Sequence, residues 1–166
     1  MQHQTSSANT HSGGAHGGES HYRHLGIMTA LSFVAMYILM YAMVNSIENV
    51  YMSFNQAYMA GLMAAPMVLI ELVVMRGMYH DKRLNALIAS AATVAALAFF
   101  LFIRNQTAIG DRQFLRSMIP HHAGAILMCG EASVSSPDIK RLCQGIVSGQ
   151  RAEIDQMKAM LGQKRD

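Results

Sequence analysis

Apolar positions fall along this chain in two rhythms. Between Leu25 and Ile103 they come in long blocks, and between Asp111 and Leu161 they recur every three or four residues. The blocks are Leu25 to Ile47, Ala57 to Met75 and Leu84 to Ile103, and the only charge inside them is Glu71. Each is close to the roughly 20 residues that a helix needs to cross the hydrocarbon core of a bilayer. A helix of a soluble bundle carries a polar face, and these blocks have none. They predict three transmembrane helices.

The second rhythm predicts a helical hairpin within residues 105–166. Asp111 follows Gly110 as an N-cap, and Phe114, Leu115, Met118, Ile119, Ala125, Ile126 and Met128 then keep a helical period. Ser136 as a cap and Pro137 in the first turn restart the pattern. It continues through Ile139, Leu142, Cys143, Ile146, Val147, Ile154, Met157 and Leu161. The predicted helices are 111–133 and 137–161. The short break between them folds them back antiparallel. Two helices bury their inner stripes poorly, so a second copy is expected to complete a four-helix bundle as a homodimer.

Residues 1–24 have no apolar period. They carry five His among Gly, Ser, Thr and Asn and read as a disordered tail, with metal binding as a secondary reading. Lys and Arg orient the rest. The joint Ser46 to Gln56 has neither, whereas Arg76 to Arg83 holds Arg76, Lys82 and Arg83. The second joint therefore belongs to the cytoplasm. The N-terminus lies on that side and the hairpin on the other.

Composition sharpens this picture. The chain of 166 residues is 52% hydrophobic and 14% charged, against about 25% charged in a usual soluble domain. The net charge of +3 gathers into no dense basic run, so nucleic acid is not an expected partner. Fifteen residues are Met, far above ordinary usage.

The chemistry concentrates in the hairpin. On a helix Met118 stacks below His121 and His122, three and four residues on. Met128 and Cys129 lie two turns beyond the pair. Thioether, imidazole and thiolate form a soft-to-borderline ligand set that suits copper(I), silver(I) or zinc, and not magnesium or calcium. Pro120 has no N–H, so a kink there re-aims both His side chains. On the returning helix Cys143 falls level with Cys129, Gln150 with His122, and Met157 near Met118 or Leu115. The two Cys are either disulfide partners outside the cytoplasm or thiolate ligands, and one molecule cannot use them both ways. The plain alternative is that the Met residues fill a core and the His pair is only partly exposed polar surface.

The membrane blocks carry Met36, Met40 and Met43, and then Met59, Met63, Met67, Glu71 and Met75, at steps of three and four. These ladders read first as helix packing among small residues and second as a path for copper(I). Glu71 is a functional candidate because a charge in a membrane helix is costly. An enzyme is not expected. No Glu-x-x-His pair, phosphate loop or nucleophile elbow occurs in the chain.

The run from Phe114 to Met128, with Pro120-His121-His122-Ala123-Gly124-Ala125 at its centre, resembles the signature of the domain-of-unknown-function 305 family. Gln150 to Met157 resembles its second half. The resemblance covers residues 105 to 162. It implies a ferritin-like helical architecture, and some members of the family are linked to periplasmic copper or silver binding and tolerance. It places Met118, His121, His122, Met128 and Met157 at the family's metal positions. Many soluble members carry two hairpins and this chain shows one, which adds weight to dimerisation.

The expected protein is all-α: three transmembrane helices followed by an antiparallel hairpin, half of a ferritin-like four-helix bundle. It sits in the inner membrane of a bacterium with the hairpin periplasmic or extracellular. It binds copper(I), or else silver(I) or zinc, through His121 and His122, with Met118 and Met128 in support and Met157, Cys129 and Cys143 as secondary ligands. It sequesters the metal, or exchanges it with a donor or acceptor protein. The alternative is a membrane-anchored interaction or sensory module in which metal is incidental.

Overall fold

The computed structural model describes residues 15–163 of the chain, with side chains placed for residues 20–162. Among them every regular element is helical. The order is α1 (Ala15–Leu39), a 3₁₀ turn (Met40–Met43), a second short turn (Ile47–Asn49), α2 (Phe54–Val74), α3 (Lys82–Arg104), α4 (Asp111–Glu131) and α5 (Pro137–Gln163). Three helical segments, Ser20–Met43, Phe54–Val74 and Lys82–Arg104, are long and apolar enough to cross a membrane.

The first helix differs from its expectation at both ends. It starts ten residues earlier than Leu25, so residues 15–24 are helical rather than disordered, and only residues 1–14 of the expected tail lie outside the described residues. A helix already nucleated extends cheaply, and Tyr22 fixes this extension. Its hydroxyl donates to Asn85 Oδ1 at 2.7 Å, and its ring packs on that of Tyr79 at 5.1 Å. At the other end α1 stops at Leu39 instead of running to Ile47. The chain tightens into the 3₁₀ turn, becomes extended at Val44, and is held by a hydrogen bond from the Tyr41 hydroxyl to the Tyr51 carbonyl at 2.9 Å. Val44 and Tyr51 then pack on the hairpin core.

Side-chain caps set the starts of α2 and α3. Ser53 accepts from the Gln56 N–H, and Asp81 accepts from the N–H groups of Arg83 and Leu84. The two helices pack closely at Gly61, where a Cβ would lie 2.5 Å from the Phe99 ring. Glu71 accepts a hydrogen bond from the Tyr79 hydroxyl at 3.3 Å, so it is answered by a phenol in the following joint. Burial and the Glu71 carboxylate raise the Tyr79 hydroxyl above the usual tyrosine range.

The fourth and fifth helices form an antiparallel pair. The Cys129–Cys143 disulfide ties them near the turn, with 5.2 Å between Cα atoms. Leu115, Ile119, Ala123, Ile126, Ile154 and Met157 form their shared core, and Ile119 is fully buried. The other face of α4 turns toward the joint between α1 and α2. Gly124 makes that approach possible, since a Cβ there would lie 3.3 Å from the Met43 carbonyl oxygen.

Candidate metal site

Consecutive residues on a helix point about 100° apart, and α4 uses that angle to separate its two His residues. The His122 side chain faces α5. Its Nε2 lies 2.7 Å from Glu153 Oε2, and its Nδ1 lies 2.8 Å from the Met118 carbonyl oxygen. Both ring nitrogens therefore face oxygen atoms. The side chain of His122 is 12% exposed and that of Glu153 is 55% exposed. A metal at Nε2 would have to displace this contact. The partner is Glu153 rather than Gln150, one turn further along α5. Side chains on a helix lean toward its N-terminus, so in an antiparallel pair these two lean toward each other.

His121 is exposed and turned off the α5 side, its ring meeting that of His122 edge-on at 6.0 Å. It lines a cavity of about 410 Å³ between the end of α1, the start of α2, and α4. Five methionines share this cavity: Met40 and Met43 from the 3₁₀ turn, Met59 from α2, and Met118 and Met128 from α4. No acidic residue lines it. Asn55 also lines it, and the Asn55 Oδ1 atom is buried with no hydrogen-bond partner among the described residues.

The expected ligand set is thus divided. His121, Met118 and Met128 come together, whereas His122 is engaged with α5. Met157 is buried in the hairpin core beside Ile119 and Ile154, which is the packing role open to any Met. Cys129 and Cys143 are disulfide-bonded to each other, so neither offers a thiolate. Among the described residues no three His, Cys, Asp or Glu side chains group so as to hold a metal ion. Beside the neutral polar side chains of Ser53, Asn55, Gln56 and Ser117, the cavity offers five thioethers and one imidazole, a donor set that fits a soft monovalent cation.

Sequence reasoning had Met40, Met43 and Met59 only as rungs of membrane ladders and did not join them to His121. The joining depends on the break after Leu39, which turns Met40 and Met43 toward α4. The joint between α1 and α2, which has no Lys or Arg, was the available signal. A polar segment between two apolar helices has to fold onto something, and α4 is its neighbour.

The chain belongs to the family described as Domain of unknown function (DUF305), which it matches over residues 55–161. That match is wider than the hairpin. It takes in α2 and α3, and with them Asn55 and Met59. The chain is also 31% identical over 143 residues to a protein of Acanthamoeba polyphaga mimivirus called "Uncharacterized protein L153", covering 84% of this chain and 91% of the relative. No solved structure matches the chain.

Proposed function

We propose that this family member is a membrane-anchored soft-metal protein that holds copper(I), or silver(I) in its place, in the methionine-lined cavity beside His121. One observation carries the reading: five thioethers from three separate segments, with one imidazole and no carboxylate, line the same cavity. Thioethers are poor ligands for hard cations and good ones for copper(I). Zinc drops behind, because its usual thiolate and carboxylate ligands are missing from this set. The role is sequestration or hand-over, with the metal exchanged among weak neutral ligands. Met40 and Met43 end the first membrane ladder and Met59 begins the second, so any metal moving along either would pass this cavity.

Three apolar helices anchor the protein in the inner membrane. The basic α2–α3 joint faces the cytoplasm and the hairpin faces outward. The Cys129–Cys143 disulfide supports that orientation, since such bonds persist in oxidising compartments. Ile139, Leu142 and Met160 stay exposed on α5 and offer an apolar face to a second copy.

A competition titration of copper(I) into the detergent-purified protein tests the reading, with residues 1–14 removed so that His3 and His11 do not compete. The parent is expected to bind stoichiometrically, and Met40→Leu/Met59→Leu to bind at least tenfold more weakly. Equal affinity in both proteins would end the proposal for this cavity.

A further inference from the structure

A second cavity, of about 270 Å³, lies at the far end of the hairpin, where the start of α4 meets the end of α5. It is lined by Tyr51, Arg112, Arg116, Lys158, Leu161 and Gly162. Three of these six residues are cations and none is an acid. Among the described residues, neither His122–Glu153 nor Arg141–Asp138 involves any of the three cations. Arg116 and Lys158 are half-buried, where water screens their mutual repulsion less well than at an open surface.

The helix ends divide in their effect. Lys158 lies near the C-terminus of α5, where the helix dipole favours a cation. Arg112 and Arg116 lie in the first two turns of α4, the end at which the dipole disfavours one. Positive charge therefore gathers at this end of the hairpin, with Asp111 beside Arg112 as the acidic residue in the first turn of α4. Two guanidinium groups one turn apart can present paired N–H donors, a geometry that matches the oxygens of a phosphate better than a single ammonium does. The Tyr51 hydroxyl adds a neutral donor.

We infer that Arg112, Arg116 and Lys158, with Tyr51, form a binding site for a phosphate group. Tyr51 belongs to the joint between α1 and α2, so under the membrane reading the site lies at the bilayer surface on the hairpin's side. The phosphate then comes either from an anionic phospholipid headgroup or from solution. The lipid source rests on the membrane reading, and the soluble source does not.

Two measurements on the full-length protein, purified in a phosphate-free detergent, separate these sources. Calorimetry reads the binding of inorganic phosphate, and native mass spectrometry reads retention of phosphatidylglycerol against phosphatidylcholine. Saturable phosphate binding that weakens at least tenfold in Arg116→Gln, and is lost in Arg112→Gln/Arg116→Gln/Lys158→Gln, supports a soluble ligand. Preferential retention of phosphatidylglycerol that the triple variant loses supports a lipid headgroup. Arg116→Lys keeps the charge without the fork and is expected to lie between Arg116→Gln and the parent. Lys140→Gln removes an exposed cation about 27 Å up α5 and leaves binding unchanged. Circular dichroism and an intact disulfide show that each variant is folded. If folded triple variant and parent bind phosphate equally weakly and retain both lipids equally, the site does not exist.

Discussion

The two sides of α4 are built from the same kinds of residue and have different neighbours. The side toward α5 is closed. Ile119 and Ala123 are fully buried there, Met157 fills the core, and His122 has an acceptor at each ring nitrogen. The side toward the α1–α2 joint is open, and its imidazole and thioethers line a cavity together with Asn55, whose buried Oδ1 has no hydrogen-bond partner among the described residues. His and Met thus serve as structure on one side and as candidate ligands on the other. Residue type does not separate the two roles. The neighbouring element does, and the next residue along a helix already faces a different neighbour.

Substitutions can break this contrast, and the closed side should lose the most stability. Ile119→Ala is expected to cost about 2–5 kcal/mol, the usual range for truncating a fully buried aliphatic side chain, as read from thermal unfolding in detergent. Reduction of the disulfide, or Cys129→Ser/Cys143→Ser, comes next. The bond closes a short loop across a separation of 14 residues, and its loss should cost about 3 kcal/mol. Copper(I) affinity should change little in Cys129→Ser/Cys143→Ser while the helices remain folded, because neither sulfur is in the proposed ligand set, whereas reduction alone frees two thiols that bind copper(I) themselves.

Gly124→Val probes the seam between the sides. Its side chain would press on the Met43 carbonyl oxygen and should cost about 1–3 kcal/mol. Pushing the 3₁₀ turn off α4 should also weaken copper(I) binding, with no ligand removed. Glu153→Gln comes lower. Half of that carboxylate is exposed, and such pairs contribute below about 1 kcal/mol. Smallest is His121→Ala, which should alter stability by no more than about 0.5 kcal/mol, as exposed positions usually do.

Much of the fold could be read from the residues. The unbroken apolar blocks and the three-four period of the last third gave all five helices. Gly110 before Asp111, and Ser136 before Pro137, marked the hairpin helices to within a few residues of where they lie. Cys129 and Cys143 were level on the expected hairpin, and they are bonded. The break after Leu39 was not legible, because Met40 to Val44 is as apolar as the helix before it. Its cause is tertiary: Tyr41 reaches the Tyr51 carbonyl, and Val44 packs on the hairpin. The site was half legible for the same reason. Spacing along α4 grouped Met118, His121 and Met128, but it also grouped His122, because a pattern within one helix does not say what stands opposite each face. Met157 kept the right period and belonged to the core.

The most direct test sets the neighbouring imidazoles against each other in copper(I) competition titrations of His121→Ala and His122→Ala, again without residues 1–14. His121→Ala should weaken binding at least tenfold with the protein's stability intact. His122→Ala should lower stability modestly and leave the affinity of the folded protein within about twofold, since every 1.4 kcal/mol is a tenfold change and no ligand is removed. The opposite order, with affinity lost in His122→Ala and kept in His121→Ala, would place the metal on the closed side of α4 and contradict the account.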